Sequence, residues 1–157
     1  MHRHLGFVAV ALAAVLWAAP AASAAVRYAG AAGTALDECL DPADPCPIDH
    51  AFGEAENGDE LVVRSGTYDV NVTLDTVPGV DIHGEAGRPR PVLNISVDGT
   101  GIVAPSNGRL ADLVVNVQHP VSPVFPPAGV AVPFGALAER LVVSARGAGA
   151  ATGVALS

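Results

Sequence analysis

The chain contains no lysine, and all eight of its basic residues are arginines. Sixteen acidic residues outnumber them, which gives a formal net charge of −8 with histidine neutral. Nucleic acids and anionic membrane surfaces are bound through clustered positive charge. The composition therefore predicts neither of them as a partner, and cations or neutral sugars suit the charge better.

Cysteine is nearly absent, since Cys39 and Cys46 are the only two. Two cysteines have a single intramolecular pairing, and an oxidising compartment favours its formation. The alternative is a metal site, but no further Cys or His pair stands at the spacing that zinc sites use. We therefore expect a disulfide between Cys39 and Cys46 and no metal centre.

Long apolar runs are also scarce, and the longest covers residues 5–19. A short basic stretch precedes it and the small residues 22–24 follow it, which is the order of a secretory signal peptide. A membrane anchor is the alternative, but a span needs about 20 apolar residues. We expect residues 1–24 to be removed after Ala24. The mature chain would then be secreted or held at the cell surface, with no membrane span and with seven arginines against 16 acidic residues.

Residues 25–58 predict a disulfide loop followed by one short helix. Asp49 suits the start of that helix, and Asn57 with Gly58 suits its end. The apolar positions at helical spacing are Ile48, Phe52 and Ala55. We expect this helix to cover the open end of the strands that follow.

From residue 59 to residue 157 short apolar strands alternate with turns rich in glycine, proline and asparagine. The apolar set recurs at every second residue, which predicts strands with one buried face; its first members are Val70, Val72 and Leu74. A similar phrase returns at Gly101, Gly129 and Gly153, and we call the interval from Gly101 to Gly129 the repeat period. A proline-rich insert at residues 120–127 explains why this interval exceeds the next one. Strand repeats of this length favour an all-β right-handed parallel β-helix, a solenoid, over a β-sandwich or barrel.

The segment from Cys46 to Tyr68 resembles the opening of secreted right-handed parallel β-helix proteins with the pectate-lyase-like fold. In that superfamily a short capping helix leads through a Gly-Asp turn into a strand and then into a Gly-Thr-Tyr turn. The resemblance implies a stack of coils and suits both polysaccharide-degrading enzymes and non-catalytic surface proteins. The chain has no lysine where lyases of the chondroitinase B type use one, and it has Val70 where pectin esterases have a glutamate. A solenoid needs a polar C-terminal cap, and none follows the last predicted strand, so we expect the N-terminal part of a longer protein or a truncated reading frame.

Three titratable residues share one strand face, and they are the candidates for catalysis: Asp81, His83 and Glu85. A carboxylate could orient the imidazole for acid–base chemistry, or all three could hold a cation. The alternative is an ordinary solvent-exposed strand face. His50 and His119 look isolated and receive no role.

A second candidate is a polar groove formed by outward-facing side chains of neighbouring strands. Its expected carbohydrate or calcium ligands are Asn71, Asp75, Asn94 and Asp98, with Thr73 and Ser96 beside them. Oxygen ligands of this kind suit Ca²⁺ or sugar hydroxyls. A merely solvated sheet face is again the alternative.

Five arginines in turn-like settings could bind an acidic polysaccharide if the fold brought them together; otherwise they serve solubility and edge protection. They are Arg88, Arg90, Arg109, Arg140 and Arg146.

The sequence therefore predicts a secreted or cell-surface β-helix protein of unassigned activity that contacts carbohydrate. The alternative is the N-terminal part of a pectate-lyase-like polysaccharide lyase or glycoside hydrolase. No cofactor is expected, and Ca²⁺ is the one candidate ion. A polysaccharide is the expected partner.

Overall fold

The computed structural model describes residues 24–120, 128–147 and 152–156. Within them the chain forms one helix, α1 (Ile48–Glu54), and twelve strands, which are numbered β1–β12 in chain order. Residues 1–23 of the predicted signal peptide and most of the proline-rich insert lie outside the described residues.

The first sheet has five parallel strands in the order β1, β2, β4, β7, β10. The register places Leu61 opposite Ile82 and Ile82 opposite Leu110. All three side chains are fully buried, so the apolar positions of successive strands meet in the core. The strand bounds are β1 Val26–Ala29, β2 Glu60–Val63, β4 Asp81–Gly84, β7 Arg109–Ala111 and β10 Leu137–Glu139.

The second sheet has four parallel strands in the order β3, β5, β8, β11. Tyr68 lies opposite Leu93 and Leu93 opposite Val115, and these three side chains are buried. Because side chains alternate along a strand, their neighbours face outward and are mostly polar. The strand bounds are β3 Thr67–Val70, β5 Val92–Ser96, β8 Val114–His119 and β11 Val142–Gly147.

The third sheet has three parallel strands in the order β6, β9, β12. Ile102 of β6 lies opposite Val130 of β9, and both are fully buried. The strand bounds are β6 Ile102–Val103, β9 Ala128–Val132 and β12 Thr152–Leu156.

The right-handed parallel β-helix predicted for residues 59–157 is wrong. The chain is mostly β, but its strands form three separate parallel sheets of five, four and three strands and not a solenoid. The repeat period does exist, since Val114 lies opposite Val142 and Ile102 opposite Val130. The period indicates only which strands pair within one sheet. It does not determine how the chain passes from one sheet to the next. The strand pairs are all parallel in the described residues, which also differs from an antiparallel sandwich.

The predicted strand alternation holds at most positions and fails at one. Val70 and Leu74 are buried, but Val72 between them is 44% exposed. The reason is that β3 ends at Val70, so residues 71–73 follow a bend and do not continue the strand. Leu74 then makes an isolated parallel bridge to Ile102.

The predicted short helix is confirmed as α1, Ile48–Glu54. Pro47 occupies the N-cap position, and Asp49 makes no capping hydrogen bond from its side chain. The helix ends earlier than predicted because Ala55 is already extended. The side chains that it buries against β1 and β2 are Ile48, Ala51 and Phe52. With seven residues, this helix is too short to cross a lipid bilayer, and no described helix meets that requirement.

The predicted disulfide between Cys39 and Cys46 is confirmed. Both half-cystines are fully buried beside the outer edge of β1. The amide of Tyr28 donates to the Cys39 carbonyl at 2.8 Å, and the Cys46 amide donates to the Tyr28 carbonyl at 3.1 Å. The disulfide loop therefore satisfies backbone groups of an edge strand that would otherwise stay unpaired.

Candidate functional site

The outward face of the four-stranded sheet carries a groove of about 880 Å³, which we call the polar groove. Most of its exposed lining consists of amide, hydroxyl and charged side chains. The polar lining residues are Asp69, Asn71, Asn94, Ser96, Asn116, Gln118, Ser144 and Arg146.

The central feature of the polar groove is a ladder of side-chain hydrogen bonds across three strands. The register sets Asp69 of β3 opposite Asn94 of β5, and Asn94 opposite Asn116 of β8. Asn94 Nδ2 donates to Asp69 Oδ1 at 3.1 Å, and Asn116 Nδ2 donates to Asn94 Oδ1 at 3.2 Å. Ser144 of β11 extends the same row beyond Asn116. Each side-chain amide in this ladder keeps a second N–H that the ladder does not use.

A second polar row runs beside the ladder, two residues further along each strand. Ser96 lies opposite Gln118, and Gln118 lies opposite Arg146. Asp69 and Arg146 are the only charged residues among the described lining of the groove, so its formal charge is balanced.

On the other side of the ladder the same sheet face is apolar. Val92, Val114 and Val142 lie opposite one another, two residues before the ladder positions. Val142 is 50% exposed, and the other two are partly exposed. The face therefore presents valine methyl groups next to rows of hydrogen-bonding groups.

The sequence identified this face but only some of its residues. Asn71, Asn94 and Ser96 do line the polar groove, whereas Asp75, Asp98 and Thr73 are not among its lining residues. Asp75 Oδ1 accepts a hydrogen bond from the Thr76 amide at 2.8 Å, and Thr73 donates to the Thr100 carbonyl at 2.8 Å.

The residues that the sequence did not assign to this groove stand on β3, β8 and β11: Asp69, Asn116, Gln118, Ser144 and Arg146, the last of which it had grouped with the other arginines. The repeat period would have connected Asn116 with Ser144 and Gln118 with Arg146. The step from Asn94 to Asn116 is shorter than that period, because only residues 97–101 connect β5 to β6, whereas the proline-rich insert, residues 120–127, connects β8 to β9. The sequence alone therefore gave no reason to place Asn94 beside Asn116.

The groove offers poor chemistry for Ca²⁺. Calcium sites combine six to eight oxygen ligands, several of them carboxylates. Asp69 is the only carboxylate in the described lining, and one of its oxygens already accepts from Asn94. Sugar hydroxyls fit the neutral amide groups better.

The three candidate catalytic residues have separate partners. His83 Nε2 lies 2.8 Å from Glu60 Oε1 on the neighbouring strand, and Asp81 pairs with Arg109 at 3.0 Å. Glu85 follows the end of β4 and lies 3.9 Å from Arg88. Asp81 and His83 share a strand face as predicted, but the structure shows no hydrogen bond joining His83 to Asp81 or Glu85 in the described residues.

Four of the five arginines considered above do come together. They line a smaller cavity of about 450 Å³ at the turns between the first and second sheets, which we call the arginine pocket. Arg146 lies in the polar groove instead. The charged or titratable lining residues of the arginine pocket are His83, Glu85, Arg88, Arg90, Arg109, Asp112 and Arg140.

One cluster has the composition of a metal site. The donor atoms of Cys39, Cys46 and His50 lie within 4.8 Å of one another, although the sequence had left His50 without a role. The two sulfur atoms are bonded to each other, so they are not thiolate ligands here. His50 Nε2 lies 3.0 Å from the Asp37 carbonyl oxygen.

Comparisons with known proteins add no relative. No protein-family model, curated protein or solved structure matches the chain. The resemblance to secreted β-helix proteins therefore has no support beyond the residues that suggested it, and function has to be argued from the geometry.

Proposed function

We propose that this protein binds a neutral carbohydrate chain in the polar groove of its four-stranded sheet. The observation that carries the proposal is the hydrogen-bonded ladder of Asp69, Asn94 and Asn116. Its mutual hydrogen bonds hold each amide in a fixed orientation, while one N–H of each amide is left for a ligand. Sugar hydroxyls both donate and accept, so they match such a row of paired polar groups.

The surroundings of the ladder support the same ligand class. The charges of Asp69 and Arg146 cancel, so the groove does not select for a strongly charged ligand. The valine row gives the apolar face of a sugar ring a surface to cover. Strands in a sheet are about 4.8 Å apart, so the four strands offer a strip of roughly 14 Å across the sheet. The described lining contains no aromatic side chain, and we therefore expect affinity in the millimolar range, equivalent to about 4 kcal/mol.

The proposal is for binding rather than catalysis, because the candidate acid–base residues each have a separate partner: His83 contacts Glu60, Asp81 pairs with Arg109, and Glu85 lies near Arg88. We also propose that the protein acts outside the cytoplasm, because disulfides such as Cys39–Cys46 persist in oxidising compartments. The N-terminal residue of the exported chain, determined by mass spectrometry, tests this part, and we expect cleavage after Ala24.

The binding test is a two-dimensional amide NMR titration with neutral hexasaccharides of glucose, xylose and mannose. We expect at least one of them to shift the side-chain amide signals of Asn94, Asn116 and Gln118. Replacing both Asn94 and Asn116 with alanine should weaken that binding about tenfold or more, since two ligand hydrogen bonds are lost.

The matched control is Asp75→Ala, which removes a polar side chain that the sequence assigned to this face and the structure places outside the groove. We expect this variant to bind like the parent. The proposal fails if none of the three hexasaccharides shifts the groove amides, or if the Asn94→Ala, Asn116→Ala variant binds as tightly as the parent.

A further inference from the structure

The arginine pocket gathers positive charge in a chain whose overall charge is strongly negative. Its described lining carries four arginines against two carboxylates, Glu85 and Asp112. The polar groove does not include these residues, so the proposed carbohydrate site leaves them without a function.

The convergence follows from one long connection. Only two residues separate β7 from β8 and β10 from β11, whereas residues 85–91 separate β4 from β5. This longer segment brings Arg88 and Arg90 to the same turn as Asp112 and Arg140. Both short turns need a left-handed residue, with φ of 57° at Asp112 and 49° at Arg140.

Two of the four arginines are held in place by carboxylates. Arg140 donates from Nε and one terminal nitrogen to both oxygens of Asp112, at 2.7 and 2.6 Å. Arg109 pairs with Asp81 at 3.0 Å and with Glu139 at 3.4 Å. A guanidinium has five N–H donors, so each of these arginines keeps donors for a further acceptor.

The other two arginines are much less engaged. The side chain of Arg88 is 67% exposed, and its nearest carboxylate oxygen, on Glu85, is 3.9 Å away. Arg90 makes no hydrogen bond or ion pair in the part of the chain that the structure describes, and it is exposed. These guanidinium groups are therefore available to an external anion.

The pKa of Asp112, a carboxylic acid that lines the pocket, shows how the nearby arginines affect a negative charge there. The hydrogen bonds from Arg140 lower the pKa of Asp112 most, and burial opposes them by a smaller amount. The charges of Arg140, Arg90 and Arg109 lower this pKa further. An anion at this turn is thus stabilised by several arginines, even though the chain as a whole is acidic.

We propose that the arginine pocket is an oxyanion-binding site for a sulfate, phosphate or carboxylate group. Arg88 and Arg90 would donate the hydrogen bonds that capture the anion. Arg109 and Arg140, held in place by Asp81, Asp112 and Glu139, would offer the N–H groups that these carboxylates leave unused. Arginine suits this role because its planar N–H groups match two oxygens at once.

The test is an NMR titration of the whole chain with inorganic sulfate at low ionic strength. We expect shifts in the backbone amides of residues 85–90, Asp112 and Arg140, with a dissociation constant in the millimolar range, equivalent to about 4 kcal/mol. Added sodium chloride should weaken binding, because it screens exposed charges. Replacing Arg88 and Arg90 together with glutamine should weaken it about tenfold or more. Both side chains are exposed, so the variant should fold.

The control is Arg146→Gln, which makes the same type of substitution at one exposed arginine of the polar groove and removes one positive charge where the test variant removes two. It should bind sulfate like the parent. Equal affinity of the parent and the Arg88→Gln, Arg90→Gln variant would overturn the proposal, and so would shifts that follow Arg146 and not residues 85–90.

A second pair of titrations separates a free ion from the acid group of a larger molecule. Glucose 6-sulfate binding more tightly than inorganic sulfate would show that the pocket takes an acid group attached to a sugar. Equal affinities would show a site for the oxyanion alone. Glucose without sulfate should leave the pocket signals unshifted, and a shift of the same size would contradict the oxyanion site.

Discussion

At the scale of single residues, the carboxylate of Asp59 belongs to the least exposed acidic residue in the described part of the chain, at 3%. It lies 2.6 Å from Nε of Arg27, which is also buried. Burial by itself raises the pKa of Asp59. The groups that outweigh burial and hold this pKa below its usual value are the Ala25 amide, the Arg27 side chain and the Glu56 amide, all of which donate hydrogen bonds to the carboxylate.

Asp59→Asn should destabilise the chain at neutral pH by about 3 kcal/mol, because it leaves the Arg27 charge buried without a counter-ion. The pKa of Asp59 is lower in the folded chain than in the unfolded chain, so protonation favours unfolding. The stabilisation is complete above the ordinary pKa of 3.8 and is lost as the pH falls through the lower folded value. Urea unfolding at a series of acidic pH values should show a steeper loss for the parent than for the variant.

The control for this prediction is Asp44→Asn, which changes an exposed carboxylate in the disulfide loop. It should leave both the stability and its pH dependence close to those of the parent. An Asp59→Asn chain with the stability of the parent would show that the Arg27–Asp59 pair is not essential to the N-terminal region.

The pKa of Tyr68 shifts in the opposite direction to that of Asp59, because here burial is not outweighed. Desolvation, helped by the charge of Glu85, raises its pKa to about 12, although the charge of Arg64 opposes the shift. Its hydroxyl donates to the Arg64 carbonyl at 2.7 Å. Tyr68 is therefore neutral at any physiological pH and serves as a buried hydrogen-bond donor between β2 and β3.

At the scale of elements, local patterns predicted the helix, the disulfide and most strand faces. The helix and the strand faces depend on patterns close in the sequence, such as the helical spacing of Ile48 and Phe52. The disulfide could be predicted because two cysteines have only one possible pairing. The predicted ends of elements were wrong where tertiary contacts determine them. At Val72, for example, the apolar alternation continues in the sequence although β3 has already ended. The polar groove was predicted in outline only, because its rows depend on the register between strands that are distant in the sequence and unequally spaced.

Two substitutions in the second sheet test its inside and outside faces. Val115→Asp places a carboxylate at a fully buried position of β8, and we expect aggregation or loss of folding, since an unpaired buried charge is very costly. Val142→Asp makes the same change on β11 at a side chain that is 50% exposed, and it should remain soluble. Soluble yield and the midpoint of thermal unfolding distinguish the two. A Val115→Asp variant as stable as Val142→Asp would mean that the inward face is assigned incorrectly.

At the scale of the whole molecule, composition and repeat predicted an all-β chain, but the way the sheets are assembled was predicted incorrectly. The repeat period, from Gly101 to Gly129, could be measured from the sequence because it reflects pairing between neighbouring strands, such as that of Ile102 with Val130. The connections between sheets differ in length, with seven residues between β4 and β5 and two between β7 and β8, and the period contains no information about them. The sequence therefore predicted strand pairing within a sheet correctly and the arrangement of the sheets incorrectly.

The three sheets also predict a gradient of stability along the molecule. The central strands β4 and β8 contain fully buried residues, whereas β10 and β11 are edge strands without one. Backbone hydrogen bonds with little buried apolar surface open first. We expect hydrogen exchange, followed by mass spectrometry, to be slowest in β4 and β8 and faster in β10 and β11. Equal protection of all four strands would contradict this gradient.

The neighbouring positions Gly84, Asp112 and Arg140 restrict which substitutions this sequence can accept. A Cβ atom at position 84 would lie 2.5 Å from the Asp112 carbonyl oxygen and 2.9 Å from Pro91 Cδ, so glycine should be retained there. Asp112 and Arg140 are joined by two hydrogen bonds, so a change at either position leaves the other charge without its partner. In descendants of this sequence these two positions should covary, with the opposite pair of charges as a permitted exchange, while position 84 stays invariant.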